Sequence, residues 1–320
     1  MAKISNPFPN NTAVTELITT VRDSLGGALR ARVIGPNGDA RAQELMDTPG
    51  QRWFDEDRPV RRVHSDASMF IGGLRSLMIQ TLHPLAMAGV ANHSNYKTDP
   101  WGRLQRTADF LAATTFGPAD EAQKIIDRIK HVHGFVNGTA SDGRPYSAND
   151  PHLLRWVHVV EVDSFLTSHQ RYGKEPFDQA GRDGYVADMA LIAAKLDVPN
   201  PPTTEKELRE QLLSFRDELK STPESRDALK YLMFQPPLPI PARAAYYALV
   251  AATAATLPAW SRPMLRIPYL PLTERFALRP LGSGITKAFR WMTEPTSPYQ
   301  QAQAARASNV NINTNTNTNS

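Results

Sequence analysis

The chain contains no cysteine, which excludes disulfides, thiolate metal sites, iron–sulfur ligation and a cysteine nucleophile, and fits a reducing compartment. Long hydrophobic runs are scarce too. The most apolar stretch, "ARAAYYALVAATAATLPAW", is too short to span a bilayer and is followed by Arg262 and Arg266. The opening "MAKISNPFPNNTAVTEL" lacks both a twin arginine and the apolar core of roughly 7–15 residues that a secretory signal needs, so a cytoplasmic location is expected. Several catalytic signatures are missing as well: the His-Glu-x-x-His of zinc hydrolases, the Gly-x-Ser-x-Gly of serine hydrolases and the repeated Glu-x-x-His of di-iron bundles.

What is present suffices for a substantial core: 320 residues, 41% of them hydrophobic. The net charge of +4 is unevenly spread, because residues 236–320 hold eight Lys/Arg against Glu274 and Glu294. Those basic residues stand singly among prolines without a base-reading motif, so nucleic acid is not expected as a partner. A buried core helix is the plain reading of the apolar stretch within that segment. Peripheral membrane contact through this basic C-terminal segment is the other.

Helical signals dominate over residues 40–48, 65–82, 103–116, 119–133, 151–170, 178–195, 205–220 and 224–234, with starts at Asp66, Pro118 and Asp150-Pro151. No paired strands with hairpin turns stand out. The expected fold is all-α, a single large helical domain over residues 61–300. An N-terminal extension with short helices (1–60) precedes it, and a disordered Asn/Thr tail (307–320) follows.

Two of the eight histidines, His131 and His133, stand one residue apart in "DRIKHVHGFVNG". Ala122, Ile125, Ile126, Ile129 and His133 fall on one apolar helical stripe. Two positions on a helix differ by about 200°, so His131 faces away, and the spacing does not suit a chelating pair. A buried histidine is more often a hydrogen-bonded core residue than a ligand, and both readings of His133 stay open here. Arg103, Arg106, Thr107 and Phe110 share a face at i, i+3, i+4 and i+7, either a solvated basic face or a receptor for carboxylates or phosphates. Leu154, Val157, His158, Val162 and Phe165 form another face, with Glu161 close enough to orient the His158 ring. His83 precedes a helix-breaking proline and is read as a cap for freed carbonyls. Haem fits these pieces, since it needs one imidazole, an apolar slot and cationic or hydroxyl partners for two propionates, so the all-α domain is expected to enclose a buried haem pocket.

The ordered set "RSLMIQTLHPLAMAGVANHS", "DPWGRLQRTADFL", "HGFVNG" and "YSANDPHLLRWVHVVEVDSF" resembles the helical haem-oxygenase family that contains the latex clearing proteins and the MpaB-type oxygenases. The likeness covers roughly residues 60–270. It implies an all-α oxidoreductase with noncovalent haem b, His133 as iron ligand, and Arg103, Arg106 and Thr107 supporting the haem. His158 is the further inward candidate at the cofactor, and Arg106 and His158 are the catalytic candidates. An apolar, unsaturated substrate of isoprenoid or lipid character, O2 and an electron donor are the implied partners, and a noncatalytic haem or lipid binder is the alternative. Two departures are visible. Arg106 replaces a lysine that ligates iron in latex clearing proteins, and a guanidinium is a poor ligand. Thr81 to Thr98 lacks the acidic residue linked to rubber cleavage, which speaks against polyisoprene.

Overall fold

The protein is described from a computed structural model covering residues 11–293. The proposed tail at 307–320 lies outside the described residues. In chain order the helices are α1 (Asn11–Val33), α2 (Gly38–Asp47), α3 (Pro59–Ser65), α4 (Met69–Gln80), α5 (Pro84–His93), α6 (Pro100–Phe116) and α7 (Ala119–His133). Then come α8 (Pro151–Tyr172), α9 (Gln179–Lys195), α10 (Glu205–Ser214), α11 (Pro223–Phe234), α12 (Ile240–Ala254), the short α13 (Arg262–Leu265) and α14 (Pro271–Thr273), and α15 (Arg279–Thr293). The fold is all-α, as the sequence leads one to expect. The strand reading needs a correction: β1 (Asn137–Thr139) and β2 (Pro145–Ser147) pair antiparallel with Gly138 opposite Tyr146. Three residues per strand are too few for a legible alternation.

Caps explain where the helices begin. Asp150 accepts from the His152 N–H at 2.8 Å with Pro151 following, and Asp99 accepts from the Gly102 N–H at 2.9 Å ahead of Pro100. The start at Asp66 is displaced. Its carboxylate accepts from the Ser68 N–H and pairs with Arg290 at 3.0 Å, so α4 begins only at Met69. The expected segment 65–82 is therefore shorter at its front.

Helix α8 is the centre of the molecule, with Trp156, Val159, Val160 and Val162 all fully buried. Its main neighbour is α4, which also packs on α12. The α4–α8 approach requires Gly72, because a Cβ there would stand 2.5 Å from the Phe165 ring. Around this pair, α3 packs on α9, α6 on α7, α10 on α8, and α12 on α15. In the N-terminal stretch, α1 is 23 residues long and packs on α15 and α6, so short helices do not describe it fully. Helix α12 is buried only over its second half, at Leu249, Val250, Ala252 and Thr253, which makes the plain reading of the apolar run half right.

Candidate functional site

On α7 the stripe behaves as the helical phase dictates. Ala122 and Ile126 are buried, Ile125 and Ile129 partly so, and His131 is exposed. His133, in the last turn, is half-buried. Its imidazole has no hydrogen-bond or ring partner among the described residues, and burial lowers its pKa.

On α6 the supposed common face divides. Arg103 is half-buried without a carboxylate partner among the described residues, and its pKa is lowered mainly by desolvation, with the Arg106 charge adding. Arg106 points outward, its side chain 65% exposed and 3.3 Å from the Asp99 carboxylate. Thr107 is also exposed, and its hydroxyl donates to the Arg103 carbonyl at 3.1 Å. Phe110 packs against the main core. Helices α6 and α7 pack together, so Arg103 and His133 stand on neighbouring elements.

His158, on α8, is 8% exposed, and its Nε2 has no partner. Burial drives its pKa to about 4, so the ring is neutral. Glu161 lies one turn further along. The expectation that it orients the His158 ring is not met, since its carboxyl makes no hydrogen bond among the described residues. Burial pushes that carboxyl up to about 7. No hydrogen bond, ion pair or ring contact joins His133, His158 and Arg103 to one another.

Sequence reasoning missed the groups beside Glu161. His64 on α3 holds Nδ1 2.7 Å from the Thr115 hydroxyl, its Nε2 lies 3.5 Å from the Tyr185 hydroxyl, and its ring meets Phe165 edge-on. Burial takes His64 to about 3 and raises the Tyr185 hydroxyl, with the neighbouring Glu161 and Asp188 adding to the latter. A signal existed: Val60 and His64 are four apart on a short helix whose Val60 and Val63 are buried. His83 does not cap carbonyls as expected. It is the N-cap of α5, accepting from the Ala86 N–H at 3.4 Å.

These residues bear on the haem expectation in a definite way. A macrocycle with two propionates supplies an anion, a metal and apolar faces. Arg103 is a desolvated cation without an anion, His133 and His158 are neutral imidazoles without partners, and Phe110, Leu111 and Val157 are partly buried apolar groups against the core. The residues present fit the group. The family described as "ER-bound oxygenase mpaB/B'/Rubber oxygenase, catalytic domain" matches residues 61–291. The chain belongs to this family. No curated protein and no solved structure matches it. Membership makes the chain an oxygenase-type catalytic domain, and the matched range includes His64, Arg103, His133, His158 and Glu161.

Proposed function

We propose that the chain is a haem b-dependent oxygenase acting with O2 on an apolar, unsaturated small molecule of isoprenoid or lipid character. The observation that carries the reading is the set of desolvated, unpartnered polar groups at His133, Arg103, His158 and Glu161. Such groups are costly unless a ligand satisfies them.

Haem, when bound, supplies the iron chemistry that turns O2 against a carbon–carbon double bond. His133 would hold the iron and Arg103 a propionate, with Arg106 and Thr107 at the solvent edge. Arg106, exposed and paired with Asp99, would not serve as an iron ligand, because a guanidinium is a poor donor to a metal. His158, neutral because of its burial, offers a hydrogen bond inside the apolar wall. Glu161, with its pKa near 7, is able to give or take a proton at its carboxyl oxygen at neutral pH. The surrounding apolar side chains keep water from the substrate.

The same reading keeps the chain cytoplasmic, takes an electron donor as a further partner, and allows peripheral membrane contact. Ile240, Leu272 and Phe276 are exposed beside Arg243, Arg275 and Arg279, which suits an anionic lipid surface. No helix of the described residues is long and apolar enough to cross a membrane. The test is a pyridine haemochrome assay followed by O2 uptake with a panel of isoprenoid and fatty-acyl alkenes. A Soret band with alkene-dependent O2 uptake is expected. Haem without uptake by any alkene would leave a noncatalytic binder, and a colourless chain that takes up no added haem would refute the reading.

A further inference from the structure

Three remote parts of the chain bring two imidazoles and a carboxylate to one point. His83 stands at the α4–α5 junction, His152 in the first turn of α8, and Glu218 in the short 3₁₀ turn Arg216–Glu218 after α10. The Glu218 Oε2 lies 3.3 Å from His83 Nε2 and 2.8 Å from His152 Nε2, while Oε1 lies 2.9 Å from the latter. The three ligand atoms all fall within 4.8 Å of one another. A cation bound tetrahedrally at about 2.0–2.1 Å sets its ligand atoms roughly 3.3 Å apart, which is the scale of this cluster.

We propose that His83, His152 and Glu218 form a binding site for one zinc-class divalent cation. Two imidazoles and one carboxylate are a ligand set that such ions take, with remaining coordination positions left to water. Access and rigidity are divided suitably. His152 and Glu218 are 46% and 38% exposed, whereas His83 is 1% exposed. Phe215 backs the site, its ring 4.7 Å from His152 and 6.3 Å from His83, and Trp156 lies 5.8 Å from His83. The Arg144 guanidinium acts on both His83 and Glu218, and Asp142 pairs with it at 2.7 Å. A backbone bond from the Lys220 N–H to the Leu82 carbonyl, 2.8 Å long, already holds the segment after Glu218 against the end of α4. The ion adds a second fastening between the same parts and a third segment, α8. His83 must then carry its proton on Nδ1, giving up the long 3.4 Å contact with Ala86. The site is independent of the haem reading: His152 precedes His158 by six residues, about 9 Å along the helix axis.

The test uses the full chain as purified, stripped with a chelator and returned to Zn²⁺ at pH 7.5, with its haem content recorded beforehand. Elemental analysis after gel filtration and titration calorimetry count and weigh the bound zinc. His152→Ala and Glu218→Gln, both at exposed positions, serve as variants whose folding is checked by circular dichroism. The expected result is one zinc per chain, at least tenfold weaker binding in each variant, and a zinc-dependent rise in Tm that each variant loses. Zinc affinity should also fall as the pH is lowered, because protons compete with the ion for the imidazole nitrogens. Failure to retain zinc overturns the proposal, and so does equal retention by the wild type and both variants.

Discussion

Glu161→Gln isolates the most strongly displaced carboxyl in the proposed pocket. Burial raises this group from the usual 4.5 to about 7, so over that interval the folded chain keeps a proton that the unfolded chain has released. Its contribution to stability is therefore fully present below pH 4.5, falls as the pH rises, and levels off above about 7. A displacement of that size corresponds to about 3 kcal/mol, of which about 2.5 kcal/mol develops between pH 5 and 8. Glutamine keeps the shape and removes the titration. The assay is urea unfolding of both proteins at pH 5, 6, 7 and 8, with haem content matched. His64 and His158, at about 3 and about 4, act in the opposite sense, because their stabilisation is full above pH 6.5 and is lost as the pH falls. They are common to both proteins and drop out of the difference. The wild type should lose about 2.5 kcal/mol relative to the variant between pH 5 and 8. Parallel profiles would refute the claim that this carboxyl is desolvated and unpartnered, and with it the role given to it as a proton carrier.

Other outcomes follow from the same geometry. His133→Ala should lose most haem in a pyridine haemochrome assay while His131→Ala keeps it, because one ring is half-buried and the other exposed; equal retention would remove His133 as ligand. Arg103→Ala should weaken haem retention more than Arg106→Ala, since only Arg103 is a desolvated cation without a carboxylate. Glu274→Ala should strand Arg262, which sits in a pair 4% exposed on both sides at 2.5 Å, and lower the stability read from urea midpoints by about 3–5 kcal/mol. Gly72→Ala should disturb the α4–α8 contact and lower Tm, because the new methyl would meet Phe165.

The local rules of the chain determined a good deal by themselves. Asp99 and Asp150 before their prolines set the starts of α6 and α8, and the stripe on α7 turned His133 in and His131 out, because capping and helical phase depend on neighbours within a few residues. Family membership, too, was legible in ordered motifs. Three things were decided only by tertiary contact. Helix α8 is buried on every side, so its phase carried no information on which residue faces a pocket. Arg103 and Arg106 share a helical face, yet the first is half-buried and desolvated, while Asp99 and solvent take the second. His64, Thr115 and Tyr185 meet across 51 and 121 residues, and His83, Glu218 and His152 across 135 and 66. Such meetings arise because apolar faces seek burial without regard to sequence distance, and the polar groups they carry are placed together as a consequence.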